Sequence, residues 1–127
     1  MCDLDHFKRI NDTYGHQVGD EVLVAVAGRV QALLRDYDSL GRYGGEEFVV
    51  LAPLSCGGDD TDLYERLCGR VAAAAIPTSA GAIPLTVSIG VAVSHEASTV
   101  DTLIADADAA LYQAKAKGRN RVLYARC

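Results

Sequence analysis

No apolar run in this chain is long enough to cross a membrane as a helix. The longest, such as Val22–Ala27 and Val71–Ile76, stop far short of the ~20 residues that a spanning helix needs. No basic stretch leads into an apolar one at the start, so a secretory signal is not expected. Cations are scarce as well: 12 Lys and Arg face 17 Asp and Glu, for a net charge of −5. Duplex nucleic acid is held largely by basic side chains that neutralise phosphates, so no nucleic-acid partner is expected. A nucleotide is not excluded, because a few local cations or a metal suffice for it. The four cysteines, Cys2, Cys56, Cys68 and Cys127, show no CxxC or other metal-ligand spacing. Scattered thiols suit a reducing compartment, and the expectation is a cytoplasmic protein. His6, His16 and His95 show no ligand spacing with each other or with the cysteines, and read as structural or surface residues. Repeats and linkers are absent.

What is present suits one compact domain over residues 1–127. Half of the residues are hydrophobic and 23% are charged, a globular balance rather than a disordered one. Val18, Val22, Ala25, Val26, Val30 and Leu33 recur at helical spacing and predict an amphipathic helix from Gly19 to about Leu34. Ser39–Tyr43 and Glu47–Ala52 flank Gly44-Gly45-Glu46 and predict a β-hairpin. Ser55–Asp60 reads as a loop. Leu63, Leu67, Val71 and Ala74 mark a second helix that Pro77 ends. Thr86–Val93 alternates, with Val87, Ile89, Val91 and Val93 on one face, and predicts a half-buried strand. A capping pattern at Ser98-Thr99-Val100-Asp101 opens a last helix, which turns Leu103, Ala107, Leu111 and Ala114 inward and stops at Gly118. Met1–Leu4 reads as a strand end running into a polar turn, and Arg121–Ala125 as an edge strand. Phe7, Ile10 and Tyr14 read as core. The order implies an α+β fold, an α/β sandwich resembling the ferredoxin-like fold, with about five strands and flanking helices.

Chemistry concentrates at two places. Gly44-Gly45-Glu46-Glu47 sets adjacent carboxylates at a tight turn, where glycines permit positive φ and close approach of a ligand. Taken alone, these are also what an ordinary solvated hairpin carries. Asp3 stands at a strand end, where many α/β folds place ligand-binding groups. If that strand lies beside the hairpin, Asp3, Glu46 and Glu47 converge. Three carboxylates in one cleft repel strongly unless a cation joins them. Hard oxygen ligands beside phosphate favour Mg²⁺ or Mn²⁺.

Asp3-Leu4-Asp5-His6-Phe7-Lys8-Arg9-Ile10-Asn11-Asp12, Gly15-His16, Gly19-Asp20 and Arg42-Tyr43-Gly44-Gly45-Glu46-Glu47-Phe48 closely resemble the GGDEF family of diguanylate cyclases, in its GGEEF form. Ser88-Ile89-Gly90-Val91 and the run from Ala107 to Asn120 resemble it too, so the likeness covers nearly the whole chain. It implies a nucleotidyl-cyclase-type fold and the condensation of two GTP into cyclic di-GMP and two pyrophosphates. It implies that Asp3, Glu47 and the Leu4 carbonyl ligate Mg²⁺ or Mn²⁺, two ions per active half-site. Glu46 would face the metals and help to deprotonate the GTP 3′-hydroxyl. Asn11 and Asp20 would bind guanine, whose N1–H and amino group offer a carboxylate a donor pair that adenine lacks. The same two residues also suit a turn cap and a helix start. Lys8, Lys115 and Arg119 would contact the triphosphate, while backbone N–H groups of Phe7 and Lys8 cradle its end and Gly44 and Gly45 admit it.

Arg35-Asp36-Tyr37-Asp38 contains an RxxD pattern, common on any surface. In this family it resembles an inhibitory site for cyclic di-GMP, to which Arg66 would contribute. Symmetric formation of two phosphodiester bonds implies a homodimer. Family domains carry a full strand and a preceding helix before the position of Asp3. The resemblance therefore implies a domain shortened at its N-terminus, with an upstream sensory domain in the parent protein. The competing expectation is a catalytically silent module that binds cyclic di-GMP or GTP.

Overall fold

The computed structural model describes residues 1–54 and 61–126. The loop expected at Ser55–Asp60, with Cys56, and the last residue, Cys127, lie outside the described residues. β1 (Cys2–Leu4) is followed by α1 (Phe7–Tyr14), α2 (His16–Gln31) and the hairpin β2 (Ser39–Arg42) and β3 (Glu47–Leu51). Then come α3 (Thr61–Ala72), a small hairpin β4 (Ile76–Thr78) and β5 (Gly81–Ile83), β6 (Val87–Val91), α4 (Val100–Ala116) and β7 (Val122–Tyr124). The main sheet runs β2-β3-β1-β6-β7, and β4-β5 forms a separate two-stranded sheet. β1 pairs antiparallel with both β3 and β6, while β7 runs parallel to β6. This is the expected α+β class, with five strands, the GGEEF hairpin and an edge strand near the C-terminus.

Because alternate residues of a strand face opposite ways, residues 1–4 divide between the two faces of the sheet. Cys2 and Leu4 join the larger cluster with Phe7 and Ile10 of α1, Val22 and Val26 of α2, and Leu67 and Val71 of α3. Met1 faces the other way, toward Ala107 and Leu111 of α4. Asp3 has the same parity as Met1, so the sheet's alternation turns its carboxylate to the α4 side. Gly90 of β6 makes that side close-packed. A Cβ there would overlap the Ala107 carbonyl and the Leu111 backbone.

Several elements differ from expectation. The polar turn expected around Asp5 spans Asp5 and His6, and the helix α1 that follows it, which no pattern announced, buries only Phe7 and Ile10 and leaves Tyr14 45% exposed. It begins at His6 in left-handed backbone (φ 58°) with no side-chain cap, so it carries no capping signature to read. α2 starts at His16 rather than Gly19 and ends at Gln31 rather than Leu34. α3 stops at Ala72, and the segment holding Pro77 pairs as β4 instead. Arg29 satisfies carbonyls at and just beyond the end of α3, donating to Val71 O (3.1 Å), Ala74 O (2.6 Å) and Ala75 O (3.0 Å). β6 is buried on both faces, including Ser88 and Gly90, because helices cover both sides of it; Val93 lies past its end, 49% exposed. The cap of α4 is Thr99, which pairs reciprocally with Thr102. No helix among the described residues is long and apolar enough to cross a membrane.

Candidate active site

The register of β1 on β3 sets Asp3 directly opposite Glu47, and such antiparallel partners hold their Cβ atoms about 5 Å apart on one face. The Leu4 N–H donates to Glu46 O at 3.3 Å, so the backbone of Glu46 also rests against β1. Strand pairing thus brings together Asp3, Leu4, Glu46 and Glu47, far apart in sequence. Asp3 is buried, and Lys115 of α4 places its Nζ 3.0 Å from Asp3 Oδ2. Burial pushes the Asp3 pKa above its ordinary value; Lys115 opposes that rise, and Glu46 and Glu47 add to it. Among the described residues, no three acidic, histidine or cysteine side chains already stand at metal-ligand spacing. The donor set nevertheless fits a hard divalent ion: carboxylates of neighbouring strands on one face, one of them buried and strained by like charge.

Neither Gly44 nor Gly45 adopts a left-handed φ, so the positive φ expected at the bend is not why glycine stands there. A Cβ at Gly45 would meet nothing within 4 Å, which leaves the bend bare. Arg42 clamps it from one side, donating to the carbonyls of Gly44 (3.2 Å) and Gly45 (2.8 Å).

α1 begins two residues past Asp5, so its first N–H groups, those of Phe7 and Lys8, open next to β1. The Lys8 side chain is exposed. Asn11 Oδ1 is the one buried side-chain N or O atom among the described residues without a hydrogen-bond partner. It lies against the bare Cα of Gly19, where any Cβ would overlap it. Asp20, the next residue, is exposed within α2 and lines a groove of about 630 Å³ with Gln17, Val24 and Pro77. The structure therefore brings Asn11 to the Gly19-Asp20 turn of α2.

Lys115 and Arg119 bracket the end of α4. Gly118, Arg119 and Asn120 all have positive φ, and the Arg119 N–H returns to Ala114 O at 3.0 Å. Asp5 holds this turn in place. Its carboxylate accepts from the Asn120 N–H (3.0 Å), Thr86 Oγ1 (2.6 Å) and Ser88 Oγ (2.7 Å). The buried Asp5 thus ties the start of α1, β6 and the α4–β7 turn together. Neither Asp5 nor Arg42 is among the residues to which the resemblance gives a role. Asp5 was legible by parity, since it shares the face of Asp3, but its partners lie more than 80 residues away.

The RxxD residues sit at the other end of β2 from the bend. Arg35 Nε and Nη2 donate to the Asp38 carboxylate at 3.0 and 3.2 Å, and the Arg35 backbone N–H donates to it at 2.8 Å. The guanidinium stacks 4.7 Å above the Tyr37 ring. Asp38 is buried, whereas Arg66 is exposed on α3 and pairs with Asp62 at 3.2 Å.

A family described as diguanylate cyclase, GGDEF domain, matches residues 1–121. The chain belongs to the GGDEF family. Diguanylate cyclase DgcM of Escherichia coli is 46% identical over 125 residues, covering 98% of this chain and 30% of its own length. The coiled coil and GGDEF domain of DgcB from Caulobacter crescentus, solved in complex with c-di-GMP, superposes with a TM-score of 0.89 at 33% identity. That match covers 98% of this chain and 66% of the other. The active GGEEF domain of a diguanylate cyclase from Vibrio cholerae gives 0.86 at 33% identity, over 99% and 80% of the two chains. The chain spans less than half the length of the curated relatives it matches. Within this GGDEF domain, the β1–β3 register, the α1 start and the α4–β7 turn are the three features that gather its polar residues at one end of the sheet.

Proposed function

We propose that this GGDEF domain, residues 1–127, is a diguanylate cyclase that turns two GTP into cyclic di-GMP and two pyrophosphates. The observation that carries the reading is the cross-strand pairing of Asp3 with Glu47 at the bare bend, with Lys115 of α4 beside them. Asp3, Glu47 and the Leu4 carbonyl hold Mg²⁺ or Mn²⁺, two ions per half-site. The ions, when bound, supply charge for the phosphates and lower the pKa of the attacking hydroxyl. Glu46 takes the proton of the 3′-hydroxyl. Lys8, Lys115, Arg119 and the N–H groups of Phe7 and Lys8 orient the triphosphate, which Gly44 and Gly45 admit. Asn11 and Asp20 hold guanine. Two copies face each other across a two-fold axis, so that each 3′-hydroxyl meets the partner's α-phosphate in near-attack geometry.

Arg35, Asp38 and Arg66 bind the product and inhibit from a distance, since Asp38 and Glu46 lie at opposite ends of β2. Such inhibition acts through the arrangement of the two copies rather than by blocking the metal site. An upstream sensory segment sets that arrangement. The buried free thiols of Cys2 and Cys68 accord with a cytoplasmic setting.

The test fuses the chain to a parallel dimeric coiled coil and assays cyclic di-GMP formed from GTP and Mg²⁺ by chromatography. Wild type is expected to form product, and Glu47→Gln to lose about a hundredfold or more of the rate. Equal background from both would sink the cyclase reading. In the same assay, added cyclic di-GMP should slow the wild type and spare Arg35→Ala; equal slowing of both would remove the feedback site.

A further inference from the structure

We infer that Lys115 occupies the place of a divalent ion on Asp3 while the site lacks nucleotide, and thereby couples metal binding to nucleotide binding. The inference deepens the proposed function, because it rests on Asp3 being a metal ligand. Lys115 Nζ lies 3.0 Å from Asp3 Oδ2, and the two side chains are 33% and 5% exposed. Asp3 sits in the central strand of the sheet, opposite Glu47, so the ammonium neutralises the most enclosed member of the acidic pair. α4 is held firmly enough to keep it there. Ala114, the neighbour of Lys115, is fully buried, and Gly90 lets the helix backbone close onto β6.

An ammonium and a divalent ion on one buried carboxylate repel each other. An ion arriving alone must therefore displace Lys115, and the released ammonium then needs another anion. A triphosphate supplies that anion. Lys115 then exchanges one oxygen anion for another, and Asp3 becomes free for the ion. The consequence is positive linkage: metal alone binds weakly, nucleotide strengthens it, and metal strengthens nucleotide by the same factor. The empty site stays neutralised from within.

Mn²⁺ binding to the 127-residue chain, without nucleotide and near neutral pH, can be followed by electron paramagnetic resonance of the free ion. Lys115→Met is expected to bind Mn²⁺ about three- to tenfold more tightly than wild type, as removal of a competing, partly exposed charge implies. Lys115→Arg, which keeps the charge, should stay close to wild type. GTP binding measured by calorimetry in EDTA should weaken in Lys115→Met, the opposite direction. Thermal melts establish that each variant is folded, and Lys115→Gln replaces the methionine variant if that one is not. Unchanged or weaker Mn²⁺ binding in a folded Lys115→Met overturns the inference, and so does unchanged GTP binding. Asp3→Asn separates the two levels. If it binds Mn²⁺ like wild type, the metal reading itself fails; if it abolishes binding while Lys115→Met changes nothing, only the coupling fails.

Discussion

Gly19 leaves open the volume that the Asn11 carboxamide fills. A methyl group there would overlap Asn11 Oδ1, the far end of a side chain that can swing away, and would press lightly on the Phe7 ring at 3.3 Å. Alanine is also the better helix former by about 1 kcal/mol. Gly19→Ala is therefore expected to leave the urea midpoint unchanged or slightly higher, while displacing the group proposed to hold guanine. GTP affinity measured by calorimetry should fall about tenfold, in line with about 1–2 kcal/mol for a lost buried hydrogen bond. A large loss of stability with unchanged affinity would refute this division of roles. The buried thiol of Cys68, donating to Val87 O at 3.5 Å, belongs to the opposite class. Burial foremost pushes its pKa up to about 11, so it stays protonated and inert within the core.

At the scale of elements, the contact between α4 and β6 carries the site as well as the fold. Gly90 faces main-chain atoms of Ala107 and Leu111, which cannot move without moving the whole helix. Gly90→Ala should cost about 3 kcal/mol, the upper part of the range for overpacking, and lower the melting temperature by roughly 10 °C for a domain of this size. A melt within 2 °C of wild type (about the shift per half kcal/mol) would show that α4 is less closely seated. Helices and strands with strong periodicity were legible: α2, the GGEEF hairpin, β6 and α4 follow from apolar spacing and glycine placement. α1 was not, because its eight residues bury only two side chains and its left-handed His6 gives no cap. The β4–β5 hairpin was hidden for a similar reason, since four consecutive alanines before Ile76 look like more helix.

For the molecule as a whole, Asp3 is the point where folding and the site pull against each other. Its folded pKa lies above the ordinary carboxylate value, mainly through burial. The folded chain thus binds this proton more tightly than the unfolded chain does. That contribution to stability is fully present below the ordinary value and is lost as pH rises through the raised one. Urea unfolding of wild type and Asp3→Asn across this window should show the asparagine variant gaining relative stability as pH rises, then a constant difference toward neutrality. A difference that shrinks with rising pH would mean that Lys115 outweighs burial. Divalent ions should narrow the gap by stabilising the wild type alone.

The family, the α+β class and the residues at the bend follow from the amino-acid order alone, because motif spacing and apolar periodicity are local properties. Which residues meet is not local. That Asp3 faces Glu47, that Asp5 gathers Thr86, Ser88 and Asn120, and that Lys115 reaches Asp3 depend on strand register and on how closely α4 settles over Gly90. A one-residue slip of β1 would turn Asp3 into the apolar core and Leu4 toward the lysine. Only burying both faces of the sheet at once selects the register that gathers the acids.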